Sequence, residues 1–412
     1  MKYKSLLFVL LFSSVQIFAQ DSIPKQSGKK EYSFIIQDSP ASLFTMRQFN
    51  ENYLSVYRLA VNELNNMASP KASLMIQTAA SLFLLPLTHE EGHRSILTGE
   101  KIGSISNPYW NKKLAAYVTG VTDARLIALR DAQLPSYIRL HTAGLESDYI
   151  ILLRESSLLN WGEETIEVLG VEYLLRKLSY IGYYATGLFK YNVNIKEETN
   201  ELNRDIIGHD VYGAIRHLHR PDMEFYRYTD YNDLTVEEKQ FVKRVGWRSL
   251  LNFADPVLFG KTGFTVRNKY HINFGIGYGM TTFGDYIDEH FWVRTASMKT
   301  HFYFRQFQNK NTWFPAFGID FSNISVGNSF HTSIALHGWQ QPQDLSFTQS
   351  KGEFGGGIEI MGKYIFPVKI GNNYRGISLN LGLTAKTKGV MFEEVNMDKH
   401  IGFRLGTSIW LN

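Results

Sequence analysis

The sequence predicts an α+β multidomain protein, in which a helical N-terminal domain precedes an antiparallel, eight-stranded β-barrel. Two observations predict this fold. From about residue 40 to residue 244, apolar residues recur at spacings of three and four, which is the period of a helix packed on one side. From about Phe264 the spacing changes to two, which is the period of a strand with two different faces. We therefore expect a helical domain over residues 40–245 and a barrel over residues 246–412.

The first residues are typical of a secretory signal peptide over residues 1–19. A basic start at Met1 to Lys4 precedes an apolar run, and a small-residue cleavage site ends at Ala19. Residues 20–39 are polar and rich in Lys and Ser, which predicts a flexible leader. Export fits a chain with no cysteine, and that absence excludes thiolate metal ligands. A net charge of +4 over 412 residues argues against nucleic acid as the partner.

Six stretches of the first half show helical periodicity. They cover residues 44–67, 71–98, 112–131, 135–159, 163–189 and 203–218. In the second helix, Pro86 should kink or restart the helix, and Gly99 should end it.

Seven strands alternate clearly in the second half, and a weaker one near residues 261–266 brings the count to eight. One face of these strands is large and apolar, and the other carries Gly, Ser, Asn and isolated charges. A water-soluble sandwich would place mostly Lys, Glu and Thr on the polar face. Small and polar residues instead suit the crowded lumen of a small barrel whose apolar face meets lipid. A soluble β-domain is the alternative. This half resembles the small outer-membrane barrels of Gram-negative envelopes, which implies outer-membrane lipid as a partner.

The sequence His89-Glu90-Glu91-Gly92-His93 ends an apolar run and has the pattern H-E-x-x-H. Residues four apart on a helix share a face, so His89 and His93 can bind one Zn²⁺ while Glu90 serves as a general base. The alternative is a solvated helix end that happens to carry two histidines.

A zinc ion held by two histidines needs a third protein ligand. On the helix after Pro135, helical spacing places His141, Gly144 and Asp148 on one face, with Glu146 at its side. Glycine inside a helix costs about 1 kcal/mol relative to alanine, so Gly144 indicates the close approach of another group. The alternative is an amphipathic helix whose Glu146 and Asp148 lie in water.

The H-E-x-x-H pattern resembles that of the zincin metallopeptidases. In the gluzincin branch, a Glu on a following helix completes the metal site. The resemblance covers two helices and implies a zinc peptidase with Glu146 or Asp148 as the third ligand. His141 is a further candidate for that position.

Two further groups of residues are candidates for a supporting role. The segment from Asp205 to His219 carries three histidines and could bind metal or orient the ligands; alternatively, it is a polar surface helix. Arg125, Arg130 and Arg139 could stabilise an oxyanion, although arginines on amphipathic helices usually cover the surface.

Together these features predict a zinc-dependent hydrolase, most simply a metallopeptidase, anchored in the outer membrane with its active site in the periplasm. A peptide or protein is the default substrate, and a lipid or another amide is the alternative. The apolar run over residues 72–88 would resemble an intramembrane site-2-type protease if it crossed the bilayer. Because it carries Gln77 and falls short of ~20 apolar residues, we expect a buried core helix instead.

Two other readings of the chain are open. One is a non-catalytic outer-membrane protein whose helical half binds a partner. The other is a single structural unit, in which the helical half plugs or caps the barrel.

Overall fold

The computed structural model describes residues 30–40, 44–108, 115–327, 329–366 and 374–411. The predicted signal peptide over residues 1–19 and the leader up to residue 29 lie outside this part of the chain. Within it, the helical first half is followed by a large antiparallel sheet.

Seven α-helices lie within the described residues, and three of them begin and end within three residues of the predicted bounds. They are α1 (Met46–Met67), α2 (Pro70–Gly99), α3 (Asp123–Ala132), α4 (Leu134–Asn160), α5 (Ile166–Ala185), α6 (Asp210–His219) and α7 (Val236–Ser249). Helix α2 continues through Pro86 as one helical element, so the expected restart does not occur.

Three helices differ from the prediction, and their N-termini show why. The side chain of Thr122 accepts a hydrogen bond from the backbone N–H of Arg125, so α3 begins well after residue 112. His209 caps α6 in the same way through Tyr212 N–H, which delays that helix to Asp210. Helix α7 was not singled out from the sequence, and Thr235 begins it with a capping box.

The strands form one ten-stranded antiparallel sheet and a separate hairpin. Their bounds are β1 (Lys30–Gln37), β2 (Ile105–Asn107), β3 (Tyr117–Thr119), β4 (Phe264–Val266), β5 (Tyr270–Thr281), β6 (Gly284–Arg294), β7 (Lys299–Gln308), β8 (Trp313–Val326), β9 (Phe330–Pro342), β10 (Gly352–Phe366), β11 (Tyr374–Lys386) and β12 (His400–Leu411). The order in the large sheet is β1-β12-β11-β10-β9-β8-β7-β6-β5-β4, and β2 pairs with β3.

Two strands of the sheet were not predicted. Strand β1 falls in the segment expected to be a flexible leader, but it pairs along its length with β12, with Lys30 opposite Leu411. The leader prediction is therefore wrong for these residues, whose Tyr32 and Ile35 are buried. Strand β6 carries Asp285 and Asp288, and such charges hide a strand when only apolar alternation is counted.

The predicted count of eight strands is wrong, and the sheet is open between β1 and β4. It is nevertheless strongly curled. Asn323 of β8 and Lys363 of β10 both donate hydrogen bonds to the carboxylate of Glu31 on β1. Strands β8 and β1 are five positions apart in the sheet, which is about 24 Å if the sheet were flat. A side-chain contact across that span requires the sheet to curl strongly, so that β8 and β10 approach β1 across the concave face.

Polar and apolar side chains are divided between the two faces of the sheet, as the alternation in the sequence predicted. The concave face is polar and includes these buried side chains: His271, Asn273, Asp288, His290, Arg305, Gln341, Ser378, Asn380, Thr384 and Ser408. Large apolar side chains are exposed on the convex face, including Phe274, Phe291, Phe304, Phe317, Leu336, Leu379, Leu381, Ile401 and Phe403. The exposed fraction of Phe403 reaches 74%. In water such an apolar surface is unusual.

The helices pack against the concave face, and both halves contribute to one hydrophobic core. The Tyr149 hydroxyl of α4 donates a hydrogen bond to Asp288 on β6 at 2.8 Å. On α5, the Tyr184 hydroxyl accepts one from the backbone N–H of Met280 on β5. The helical half and the sheet therefore form one structural unit, as the capping alternative supposed.

Helix α2 is not the buried core helix that we expected. Only 28% of the most apolar 18-residue stretch of this helix is buried. The side chains of Leu74, Met75 and Leu82 are more than half exposed. Within the described residues, it is the one helix long and apolar enough to cross a membrane, by length and composition alone.

Candidate metal centre

The candidate centre lies where α2 crosses α4, and two glycines allow the close approach. A Cβ at Gly92 would collide with the carbonyl oxygen of Ala143, so the two backbones touch at this point. A Cβ at Gly144 would collide with Nε2 of both His89 and His93. The close approach that Gly144 indicated in the sequence is therefore confirmed, and the approaching groups are the two histidines.

His89 and His93 converge with Asp210, the first residue of α6. Oδ2 of Asp210 lies 3.1 Å from Nε2 of His89 and 3.4 Å from Nε2 of His93. All three side chains are buried, and their ligand atoms lie within 4.8 Å of one another. The set offers two nitrogens and one oxygen, which is a donor set that Zn²⁺ uses in catalytic sites.

Each imidazole is oriented through its other nitrogen. Nδ1 of His89 lies 2.8 Å from Oδ2 of Asp148, and Nδ1 of His93 lies 2.7 Å from the carbonyl oxygen of Leu140. A carboxylate and a carbonyl can only accept, so both Nδ1 atoms are donors. In the neutral rings this leaves the Nε2 lone pairs directed at the shared point, as in carboxylate–histidine–metal arrangements.

The supporting carboxylates are themselves held in place. Arg176 is fully buried and donates hydrogen bonds to Asp148, Thr88 and Glu172, so it fixes the carboxylate that orients His89. The other oxygen of Asp210 accepts a hydrogen bond from the Tyr183 hydroxyl at 2.9 Å.

Burial and neighbouring charges shift the pKa values of the titratable groups at the centre. Burial lowers the pKa of His89, but the carboxylates of Asp210 and Asp148 outweigh it and raise that pKa well above its usual value. His93 and His89 hold the pKa of the Asp210 carboxyl well below its usual value despite burial. Burial raises the pKa of the Glu90 carboxyl to about 8; the neighbouring carboxylates of Asp210 and Asp148 add to this, and His89 opposes it. A negative carboxylate facing two imidazoles attracts a cation.

The structure brings together only part of the predicted site. The Glu146 carboxylate forms a two-point ion pair with Arg139, at 2.7 and 3.0 Å, and does not belong to the metal-binding group. Asp148 lies at the site but bonds Nδ1 of His89, on the side away from the shared point. The structure therefore places Asp210 beside the two histidines at the position where Glu146 or Asp148 was expected.

Asp210 lies inside the segment from Asp205 to His219 that the sequence predicts for a supporting role, whereas the histidines of that segment have other functions in the structure. His209 caps α6, and Nδ1 of His219 lies 2.8 Å from the carbonyl oxygen of Ile215. Neither belongs to the metal-binding group. From the sequence, Asp210 was expected inside a helix beginning at residue 203, and the structure places it in the first turn of α6.

His141, the further candidate, is also absent from that group, although it is buried close by. It stacks on His217, with ring centroids 5.4 Å apart. Burial lowers the pKa of His141 to about 3 and that of His217 to about 2, so both rings are neutral.

The three arginines considered for oxyanion stabilisation have other partners or positions. Arg139 is committed to Glu146, Arg130 donates to Asp131 and to the carbonyl oxygen of Met223, and Arg125 is exposed. The arginine that supports the centre is Arg176, through Asp148.

Comparison with protein-family models, with curated proteins and with solved structures found no match to this chain. The interpretation of the centre therefore depends on its geometry alone.

Proposed function

We propose that this protein is a zinc-dependent hydrolase, most simply a metallopeptidase, anchored in the outer membrane with its active site in the periplasm. One observation carries the proposal. His89, His93 and Asp210 converge on one buried point, and each histidine is oriented by a second hydrogen bond. A solvated helix end would need neither the convergence nor the second contacts.

The residues of the centre fit a zinc ion. Two imidazole nitrogens and one carboxylate oxygen would hold it and leave a fourth position for water or substrate. When bound, zinc supplies Lewis-acid activation of water and of a carbonyl group. Gly144 contributes by having no side chain, because any Cβ there would occupy the space in front of both Nε2 atoms.

Glu90 is the proposed general base. It follows His89 on α2, and burial together with the Asp210 and Asp148 carboxylates raises the pKa of its carboxyl. A divalent cation bound at the centre would oppose this rise and favour the ionised form. Its carboxylate would take a proton from the attacking water and later give it to the leaving nitrogen. Arg176 and Asp148 would hold the His89 ring in position during these steps.

The surface of the sheet supports membrane anchoring. Its convex face is apolar and exposed, while its concave face is polar and covered by helices, which is the inverse of a soluble sandwich. Strands β5 to β12 have 10 to 15 residues, enough for a tilted strand to span the hydrocarbon layer. We propose that the curled sheet is a barrel-like anchor whose outer surface meets lipid.

The decisive variant is Glu90→Gln, assayed with a mixed peptide library as substrate. We expect hydrolysis to fall by about 10²-fold or more, because a general base contributes roughly 10²–10⁴-fold, while the zinc content stays unchanged. His89→Ala should lose the zinc as well as the activity. Full hydrolysis by Glu90→Gln would reject its assigned role.

The shared core favours one competing function. Because the helices and the sheet form one unit, the helical half could serve only to complete a non-catalytic outer-membrane protein. Metal analysis separates the two functions. Folded wild-type protein that binds no zinc at micromolar free metal would support the structural role and contradict the proposed hydrolase.

A further inference from the structure

A second group of imidazoles lies buried beside the candidate centre, and the proposed hydrolase makes no use of it. We propose that His141 on α4 and His217 on α6 bind a second divalent transition-metal cation. This site does not depend on the proposed function, because it uses none of the residues of the first centre.

The two rings are fully enclosed. The exposed fraction of His141 is 1% and that of His217 is 0%. Their rings stack with centroids 5.4 Å apart and planes inclined by 28°. The ring of Tyr137 packs edge-on against both, at 5.2 and 4.8 Å. Three polar side chains thus lie together between two helices.

Their polar atoms have no hydrogen-bond partner among the described residues. Both nitrogens of His141, both nitrogens of His217 and the Tyr137 hydroxyl are buried and unpaired. Nine in ten or more buried polar groups in folded proteins are paired. Five unpaired atoms in one buried cluster therefore indicate a bound species that satisfies them.

The packing of α6 also makes room for the His141 ring. A Cβ at Gly213 would collide with Nδ1 and Cε1 of His141, so the glycine lets this ring lie against the helix backbone. A simple apolar contact at this position would need no imidazole. Helices α4 and α6 also supply Asp148 and Asp210 to the first centre, so the two groups of side chains are neighbours.

The chemistry of the donors selects the ligand. Neutral imidazole nitrogens favour zinc, iron, nickel or copper, whereas magnesium and calcium require oxygen ligands. Water molecules would fill the remaining coordination positions, with the Tyr137 hydroxyl as a hydrogen-bond partner for one of them. The competing occupant is a small cluster of ordered water without metal.

The test is the zinc stoichiometry of the full chain in detergent, after equilibration with buffered micromolar Zn²⁺ and removal of excess metal. We expect two zinc ions per chain for the wild type. His217→Ala and His89→Ala should each retain one, and the double variant should retain none. His219→Ala is the matched control on the same helix, and it should retain two.

Two results would overturn the second site. One is a single zinc ion per wild-type chain that His89→Ala removes and His217→Ala retains, which would mean that water alone lies between His141 and His217. The other is a count of two that His217→Ala leaves unchanged. Circular dichroism checks that each variant folds, and if His217→Ala does not, His141→Gln replaces it. The hydrolase can fail while two zinc ions are bound, so the two proposals are tested separately.

Discussion

At the scale of single residues, two aspartates act on the same histidine from opposite sides. Asp210 faces Nε2 of His89, and Asp148 bonds its Nδ1. A ligand and an orienting residue should differ in what their removal does to metal binding. Ligands supply the coordination bond itself, whereas orienting partners typically contribute 10–100-fold in affinity.

Asp210→Ala should therefore abolish zinc binding at the first centre, whereas Asp148→Asn should weaken it by about 10–100-fold. Competition with a chromophoric chelator measures both affinities. Glu146→Gln is the control, because this carboxylate bonds Arg139 outside the metal-binding group. Equal losses for Asp210→Ala and Glu146→Gln would contradict the assignment of the third ligand.

The sequence predicts two of the three proposed ligands because both lie on one helix, where spacing alone places them together. Asp210 follows His93 by 117 positions, and no local rule connects them. Its role depends on how α6 docks against α2 and α4. The opposite error occurred at Glu146, where helical spacing placed a carboxylate near the face but could not foresee its pairing with Arg139.

At the scale of elements, the crossing of α2 and α4 determines whether the centre can exist. Gly144 on α4 lies directly against both imidazoles, whereas Gly182 on α5 has open space where a Cβ would be. The same substitution at these two helical positions should have opposite effects.

Gly144→Ala should destabilise the fold and reduce zinc affinity, because the new methyl group displaces both rings. Gly182→Ala should raise the free energy of unfolding by about 0.4–1 kcal/mol, since alanine favours the helix and meets no atom. Thermal melting with and without zinc measures both effects. Unchanged zinc affinity in Gly144→Ala would show that the helices do not meet as described.

Helices and strands differ in how far the sequence predicts them. Helical spacing locates α1, α2, α4 and α5 well, because each has a periodic apolar face. Strand β6 was missed because its inward positions carry charges such as Asp288, which Arg305 neutralises within the sheet. Strand β1 was missed because a short segment after a polar run gives no sign that β12 will pair with it.

At the scale of the whole molecule, a buried charge network connects the helical half to the sheet. Glu359 of β10 faces Arg47 of α1 at 3.6 Å and Arg404 of β12 at 3.1 Å. Burial alone would raise the pKa of this carboxyl, but the two guanidinium groups outweigh it and lower the pKa to about 2.

This network should make the fold sensitive to acid. A carboxyl group whose pKa is lower in the folded chain stabilises the fold above its unfolded pKa of about 4.5. That contribution is lost as the pH falls from about 4.5 towards 2. Glu359→Gln should therefore lower the melting temperature at pH 7 and flatten its decline below pH 4.5. Glu353→Gln, exposed on the same strand, should follow the wild-type profile; an unaltered profile for Glu359→Gln would contradict the network.

Membrane anchoring predicts a second whole-molecule result. Leu381 is 59% exposed near the middle of β11, so Leu381→Arg should change stability by less than about 0.5 kcal/mol if that face meets water. In lipid it should cost about 2–4 kcal/mol. Urea unfolding in lipid vesicles measures the difference, with Thr348→Arg in the exposed β9–β10 connection as control. Equal stability of the two variants would argue against a lipid-facing surface.

Pairing between β1 and β12 has a consequence for how the molecule is assembled. Lys30 and Leu411 lie opposite each other but are separated by nearly the whole described chain. Contacts between such distant positions form slowly, because the intervening polypeptide must first be ordered. The sheet therefore gains its outermost strand late, after β12 has been synthesised. Until then, the edge of β12 stays available to other extended segments, and a holding chaperone would find its target there.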